Sequence, residues 1–228
     1  MTPLLAVDNL HAAYLQKEIL QGVSLAVHQG EIVALLGSNG SGKSTVLKTI
    51  AGLLRPTRGR ILFRGQVINA LSIYARQHLG LGFLLQGGRV FPNLSVAENL
   101  ELAARHRRNP QGGHSVQAGS VFGVLKEKAR VRAGLLSGGQ RQMLAVEILL
   151  AQAPDLALLD EPTAALSRDG VEQVLTVLKD FVGRNGCGVL LVEQNVYEAR
   201  RITSRQLTLV DGALVPENLQ EASDGATH

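Results

Sequence analysis

The 228-residue chain has no tryptophan, a single cysteine and only 4% aromatic residues. One cysteine, Cys187, excludes an intrachain disulfide and any cysteine-based metal cluster; a buried thiol in a reducing compartment is its expected role. With so few aromatics, the net charge of +4 does not by itself point to nucleic acid. The basic residues are scattered. Their densest groups, Arg105-His106-Arg107-Arg108 and the series Lys126, Lys128, Arg130 and Arg132, read as solvated faces rather than a phosphate-tracking groove. No apolar run approaches the ~18 residues that could cross a bilayer. The start, Met1-Thr2-Pro3-Leu4-Leu5, lacks the basic region and apolar stretch of a signal peptide, so a cytoplasmic placement is expected. No internal repeat is apparent.

What is present is a globular balance, 45% hydrophobic and 18% charged, in a length that suits one large domain spanning 1–228. Short continuous apolar runs recur at Glu31–Leu36, Leu156–Asp160 and Gly188–Val192, and continuous apolarity reads as parallel strands buried on both faces. Helical spacing over Ser44–Leu54, Gln140–Leu150 and Val171–Val182 alternates with them, which implies right-handed βαβ crossovers in an α/β core. Core segments are expected at 30–55 and 136–205. Within 1–70, the runs Leu4–Leu10, Ile19–Val27 and Arg60–Ile68 suggest an antiparallel sheet beside that core. Residues 96–135 read as an inserted helical subdomain with a loop at Asn109–Ser115, and Asp211-Gly212 signals a late hairpin. The polar tail from Glu217 to His228 is expected to fray.

Three motifs carry chemistry. After the strand ending at Leu36 comes Gly37-Ser38-Asn39-Gly40-Ser41-Gly42-Lys43-Ser44-Thr45, which fits the phosphate-binding loop pattern at every fixed position. Its backbone N–H groups can curl around a β-phosphate at the positive end of the following helix, with Lys43 as a cation and the Ser44 hydroxyl as a magnesium ligand. The run Leu156–Leu159 delivers Asp160 and Glu161 to the carboxyl end of a strand, where ligands of open α/β sheets collect. Asp160 is the expected magnesium-side carboxylate. Glu161 is placed to orient or deprotonate the attacking water. Finally, Leu136-Ser137-Gly138-Gly139-Gln140-Arg141-Gln142 opens a helix with a hydroxyl and exposed backbone donors, a second anion-binding end; alone, such a start is usually just a cap.

In this order and spacing the three motifs resemble the signature set of the ABC ATPase family, and the resemblance covers nearly the whole chain. It implies a P-loop NTPase core with a mostly parallel sheet, an antiparallel β subdomain and a helical insert. It further implies two cassettes packed head to tail, each ATP with its magnesium lying between the phosphate loop of one copy and Ser137, Gly138, Gly139 and Gln140 of the other. By the same resemblance Tyr14 matches the aromatic that stacks on adenine, although a lone tyrosine in a strand is as often core or interface. Gln86 matches the glutamine that contacts magnesium and senses a membrane partner.

The chain departs from the family in places. Gln194 stands where most members have a histidine; it can donate an amide hydrogen bond to a γ-phosphate but cannot take up or release a proton as a histidine does, and it could instead cap the helix starting near Asn195. Ser167 replaces a common aspartate. Both departures, and Gly87-Gly88-Arg89-Val90-Phe91, look like the importer branch that serves branched-chain amino acids and small amides. That branch often has glutamate at the Gln86 position and better helix formers than Asn109–Ser120, and Glu147 and Ile148 also differ from many relatives. The implied function is an ATP-hydrolysing subunit, pairing with an identical or sister ATPase on membrane permease subunits at the cytoplasmic face. The competing class is a soluble ABC ATPase acting on nucleic acid or ribosomes, which usually has two cassettes or a long coiled-coil insertion. A non-hydrolysing module would lack the acid found at Glu161.

Overall fold

The computed structural model describes residues 2–84, 86–87, 89–105, 121–203 and 205–215. Buried and exposed side chains alternate along β1 (Leu5–Tyr14) and β2 (Lys17–Val27), which pair antiparallel with Leu5 opposite Val27 and Tyr14 opposite Lys17. The continuous run that follows is β3 (Ile32–Leu36), buried at every position, and the phosphate-loop motif leads from it into α1 (Lys43–Ala51). This helix stops short of the expected Leu54 because Gly52, at φ 87, takes the left-handed conformation and turns its N–H back to the carbonyls of Lys48 and Thr49. The stretch expected as one strand, Arg60–Ile68, is two: β4 (Arg58–Phe63) and β5 (Gln66–Val67). Arg64 and Gly65 both have positive φ between them, so the chain reverses there. The antiparallel sheet has the order β2-β1-β4-β5.

Next come α2 (Ile73–Leu79), β6 (Leu81–Leu84), α3 (Val96–Arg105), α4 (Gly123–Glu127) and, after a 3-10 turn at Ala133–Leu135, α5 (Gly138–Ala151). The chain then alternates β7 (Leu156–Asp160), α6 (Arg168–Asn185), β8 (Gly188–Val192) and α7 (Val196–Ile202), and ends in the hairpin of β9 (Arg205–Val210) and β10 (Ala213–Leu214). A six-stranded sheet runs β10-β9-β3-β8-β7-β6, parallel throughout except for the β10 edge. It also takes in β6, which lies outside the 30–55 and 136–205 segments expected to build the core. Asp211 and Gly212, at φ 46 and 81, form the expected turn. The Asn109–Ser115 loop, residues 106–108 of the basic group and the 217–228 tail lie outside the described residues.

Two apolar layers flank the parallel sheet. One packs Val33, Leu35, Leu158 and Leu190 against α1 and the antiparallel sheet; the other packs Ala157, Leu159, Val189 and Leu191 against α5 and α6. Cys187 is buried in the second layer, where desolvation pushes its thiol up to about 12, the inert thiol expected. Among the described residues no helix is long and apolar enough to cross a membrane. Strands β3, β7 and β8 end side by side, so their carboxyl ends bring residues 37–45, 160–161 and 193–194 to one edge.

Candidate nucleotide site

The loop from Gly37 to Gly42 is shaped by what it excludes. A Cβ on Gly37 would lie 2.3 Å from the Leu209 carbonyl oxygen and 2.8 Å from Ser41 Oγ, so no side chain fits where the loop leaves β3. Gly42, the residue before α1, has φ 107, and the side chains of Leu20 and Ile19 lie over it. That contact brings the β1–β2 hairpin to the loop. Tyr14, at the hairpin's tip, is 43% exposed and so keeps a free ring surface rather than joining the core. Lys43 is buried, and its ammonium donates to the carbonyls of Gly37 (2.7 Å) and Ser38 (2.9 Å). Desolvation lowers its pKa, opposed by the charges of Glu161 and Asp160. Asn39 and Gly40 are exposed at the rim, and Ser41 is buried with its hydroxyl unpartnered.

Ser44 Oγ donates to Asp160 Oδ1 at 3.1 Å. Asp160 is 1% exposed, and its other oxygen, Oδ2, is buried without any hydrogen-bond partner. Burial raises this carboxyl's pKa, with the Ser44 hydroxyl opposing. A half-satisfied buried carboxylate beside a hydroxyl is a set of hard oxygen donors, and it fits a magnesium ion. Thr45, also expected at the site, is buried within α1, and its carbonyl accepts from the Thr49 hydroxyl at 2.7 Å.

Glu161 follows immediately, at φ 51, a strained conformation for a residue with a side chain. Its N–H donates to the Val192 carbonyl at 2.9 Å, fixing it to the end of β8. Both carboxylate oxygens are engaged: Gln86 Nε2 donates to Oε2 at 2.9 Å, and Gln194 Nε2 donates to Oε1. The capping task belongs to Asn195, whose Oδ1 accepts from the N–H groups of Tyr197 (3.0 Å) and Glu198 (3.4 Å). Gln86, expected to reach magnesium, has its amide nitrogen committed to Glu161.

The start of α5 closes on itself. Ser137 Oγ accepts from the Gln140 N–H, and Gln140 Oε1 accepts from the Ser137 N–H, both at 3.2 Å, while Lys128 Nζ also donates to Gln140 Oε1 at 3.2 Å. Gly138 and Gly139 lie in its first turn. Among the described residues no hydrogen bond joins this turn to residues 37–45. The structure therefore gathers the phosphate loop, Asp160, Glu161, Gln86 and Gln194 at one edge, and among the described residues the first turn of α5 is not hydrogen-bonded to the phosphate loop.

Several contributors escaped the sequence reading. Gln142 Nε2 donates to the carbonyls of Glu161 and Pro162, both at 3.2 Å. Gly212 N–H donates to the Ser41 carbonyl at 3.0 Å. The hydroxyl of Thr163 lies between the carboxylates of Glu193 and Glu198. Gln142 had a signal in its place in the α5 motif, and Gly212 had one in the Asp211-Gly212 turn, though neither pointed to the site.

Comparison with known proteins places the chain in a family. Residues 20–164 match the family model described as ABC transporter. The chain is 35% identical over 215 residues to the high-affinity branched-chain amino acid transport ATP-binding protein BraG of Pseudomonas aeruginosa, covering 93% of this chain and 91% of that protein. It is 37% identical over 210 residues to a probable branched-chain amino acid transport ATP-binding protein, LivF, of Archaeoglobus fulgidus, covering 92% and 89%. A dimeric ATP-binding cassette in a post-hydrolysis state, bound to ADP and Pi, superposes with a TM-score of 0.78 at 27% identity, covering 93% of this chain and 97% of that one. The chain belongs to the ABC transporter family, of which it is an ATPase subunit.

Proposed function

We propose that this subunit binds MgATP between two cassettes, identical or sister, and hydrolyses it to energise import of branched-chain amino acids or related small amides. The substrate class is supported by the names of the two relatives, both branched-chain amino acid transport ATP-binding proteins. The nucleic-acid alternative finds no support in either of them. The partners are permease subunits, which hold the chain at the cytoplasmic face of the membrane. The chain's single division into an antiparallel sheet, a helical insert and a P-loop core serves this coupling.

In this reading the amides of 37–45 and the Lys43 ammonium hold the β- and γ-phosphates, and Tyr14 stacks on adenine. Ser44 and Asp160, with the Gln86 carbonyl oxygen, hold magnesium, which would neutralise phosphate charge. Ser137, Gly138, Gly139 and Gln140 meet the γ-phosphate of the ATP held by the opposite copy. Glu161 orients or deprotonates the attacking water, and Gln194 holds Glu161 and the γ-phosphate in register. The observation that carries hydrolysis is the Glu161 carboxylate, one residue beyond Asp160 at the strand end, held through both oxygens by neutral amides.

The test is Glu161→Gln. ATP binding is expected to persist, turnover to fall by at least ~10²-fold, and the trapped ATP to hold a dimer on size-exclusion chromatography, with a sister ATPase added if one exists. Unchanged turnover, with monomers only, would sink the assignment. Uptake of labelled leucine and of a small amide by cells with and without the chain tests the substrate class.

A further inference from the structure

Directly after β8 the chain places an acid inward. Glu193 is 4% exposed, and its Oε1 lies 2.8 Å from the Thr163 hydroxyl oxygen. The same hydroxyl oxygen lies 2.7 Å from Glu198 Oε2. A threonine hydroxyl carries one hydrogen and can donate to one carboxylate only. With both acids ionised, one of these two short contacts would set lone pair against lone pair, and two like charges would face each other across a single oxygen. The geometry is complete only with one further proton: one acid donates to Thr163 Oγ1, and Thr163 donates to the other. Burial puts that proton on Glu193, because Glu198 lies on the more exposed α7.

Among the described residues no cation is ion-paired with Glu193. From α7, Glu198 adds a like charge, and Arg201, paired with Glu172 of α6, also feels the charge of Glu198. Lys43 and Lys48 of α1 act on Asp160. Glu161, across the turn, is held by Gln86 and Gln194, and α5 contributes the neutral Gln142. From β3 the contact is with the Leu35 carbonyl, which accepts the Glu193 N–H at 3.4 Å. Accordingly the Glu193 carboxyl is pushed up to about 7, by burial first, against the pull of the Thr163 hydroxyl and N–H.

What the acid holds is a strained turn. Glu161 and Ala165 sit at φ 51 and 62, and Thr163 lies between them. From one side Gln142 binds the carbonyls of Glu161 and Pro162; from the other, Glu193 and Glu198 bind Thr163. A residue in the left-handed region stays there only while its surroundings over-determine it.

We propose that Glu193 is a positioning residue for ATP hydrolysis, which through Thr163 and one shared proton pins the turn carrying Glu161 against the end of β8. The proposal rests on the reading of Glu161 as the group that orients the attacking water. Its consequence has a definite sign. Below pH 7 the acid is protonated and the tether intact. As pH rises through that value the proton leaves to solvent, Glu193 and Glu198 repel across Thr163, and Glu161 loses its position. Turnover falls while nucleotide affinity, set by the phosphate loop, does not.

The experiment measures kcat and the KM for ATP of the full chain from about pH 6 to pH 9, together with infrared difference spectra in the carboxylic-acid carbonyl region. In the wild type, kcat is expected to fall about tenfold, the size of one lost hydrogen bond to a charged group, with KM steady. Glu193→Gln should abolish the inflection, since its amide donates to Thr163 without titrating, and should erase a protonated-carboxyl band seen at low pH. Glu198→Gln removes the like charge and should shift the inflection to lower pH. A wild-type inflection retained in Glu193→Gln, or no band to erase, overturns the proposal. A band that Glu193→Gln erases, beside a flat wild-type kcat, overturns the positioning role alone. Full turnover in Glu161→Gln would instead overturn the reading on which it rests.

Discussion

The backbone N–H of Gly212 donates to the carbonyl of Ser41 at 3.0 Å, so the last hairpin of the chain braces the phosphate loop. The Gly212 carbonyl in turn accepts from the N–H of Gln21 at 2.8 Å, which ties both to the antiparallel sheet. Gly212 has φ 81, and a Cβ there would sit 2.0 Å from the Ile19 carbonyl oxygen, a backbone atom that cannot step aside. Gly212→Val is therefore expected to destabilise the fold by ~1–3 kcal/mol and to weaken MgATP binding together with it. Urea unfolding and nucleotide titration check this; wild-type values in both would mean that the brace contributes nothing.

A second support lies at the other end of α1. Arg76 is 1% exposed, and its guanidinium donates to the carbonyls of Thr49 (2.8 Å), Ile50 (2.7 Å), Leu71 and Asn69 (both 3.1 Å). The first two belong to the last turn of α1, the negative end of the helix whose positive end faces the phosphates. Arg76→Met keeps bulk but strands those carbonyls, and a loss of ~3 kcal/mol or more is expected, a fall in Tm of roughly 6–12 °C for a chain of this size. Arg76→Lys keeps the charge with fewer donors and should fall between the two. Calorimetry decides it, and a Met variant as stable as wild type would make the buried guanidinium dispensable.

The parts legible in the sequence were those written locally. Residues 37–45, the run ending in Asp160-Glu161 and the α5 start each declare themselves within a few residues, because a strand end, a glycine turn and a helix cap are short-range structures. Strand β6 is different: it is four residues long, and Gly82 interrupts its apolar character. A Cβ on Gly82 would lie 2.5 Å from Leu149 Cδ1, so the glycine answers to packing against α5, a requirement that no local pattern announces. The tether of Thr163 to Glu193 joins positions 30 residues apart. In sequence Glu193 is an acid following an apolar run and looks solvated; only the closure of the 161–165 turn over β8 buries it. For Gln194 the position and both candidate tasks were legible, but the choice between them was not, since only the folded chain shows Asn195 taking the cap.

Burial of Glu193 has a consequence for stability apart from catalysis. Its folded pKa of about 7 exceeds the ordinary 4.5, so the folded state keeps a proton that the unfolded state has lost. A raised carboxyl pKa contributes stability that is fully present below the unfolded pKa and is lost as pH rises through the folded one. The window is therefore from 4.5 to about 7, and the displacement corresponds to about 3 kcal/mol. Wild type should lose stability relative to Glu193→Gln across this window, the gap levelling off above it. Unfolding free energies of both proteins at a series of pH values give the difference directly; parallel curves would place Glu193 outside the titration.

Gln194 offers the sharpest separation of binding from hydrolysis. Its Nε2 donates to Glu161 Oε1, while Gln86 holds Oε2, so its removal frees one carboxylate oxygen without touching the phosphate loop. A hydrogen bond to a charged group contributes ~1.5–3 kcal/mol, which corresponds to about ten- to a hundredfold in rate when the bond matters mainly in the transition state. Gln194→Ala should accordingly lower turnover by that factor and change ATP affinity much less. Because Asn195 caps α7, the variant should keep wild-type stability, which distinguishes lost chemistry from a loosened helix. Gln194→His restores a donor, but one that titrates near pH 6.5. Made together with Glu193→Gln, whose own profile should be flat, it is expected to be active and to gain an inflection near the imidazole pKa. Steady-state turnover, nucleotide titration and unfolding on the same three proteins decide the matter: an alanine variant with wild-type turnover would show that Glu161 works without its second amide.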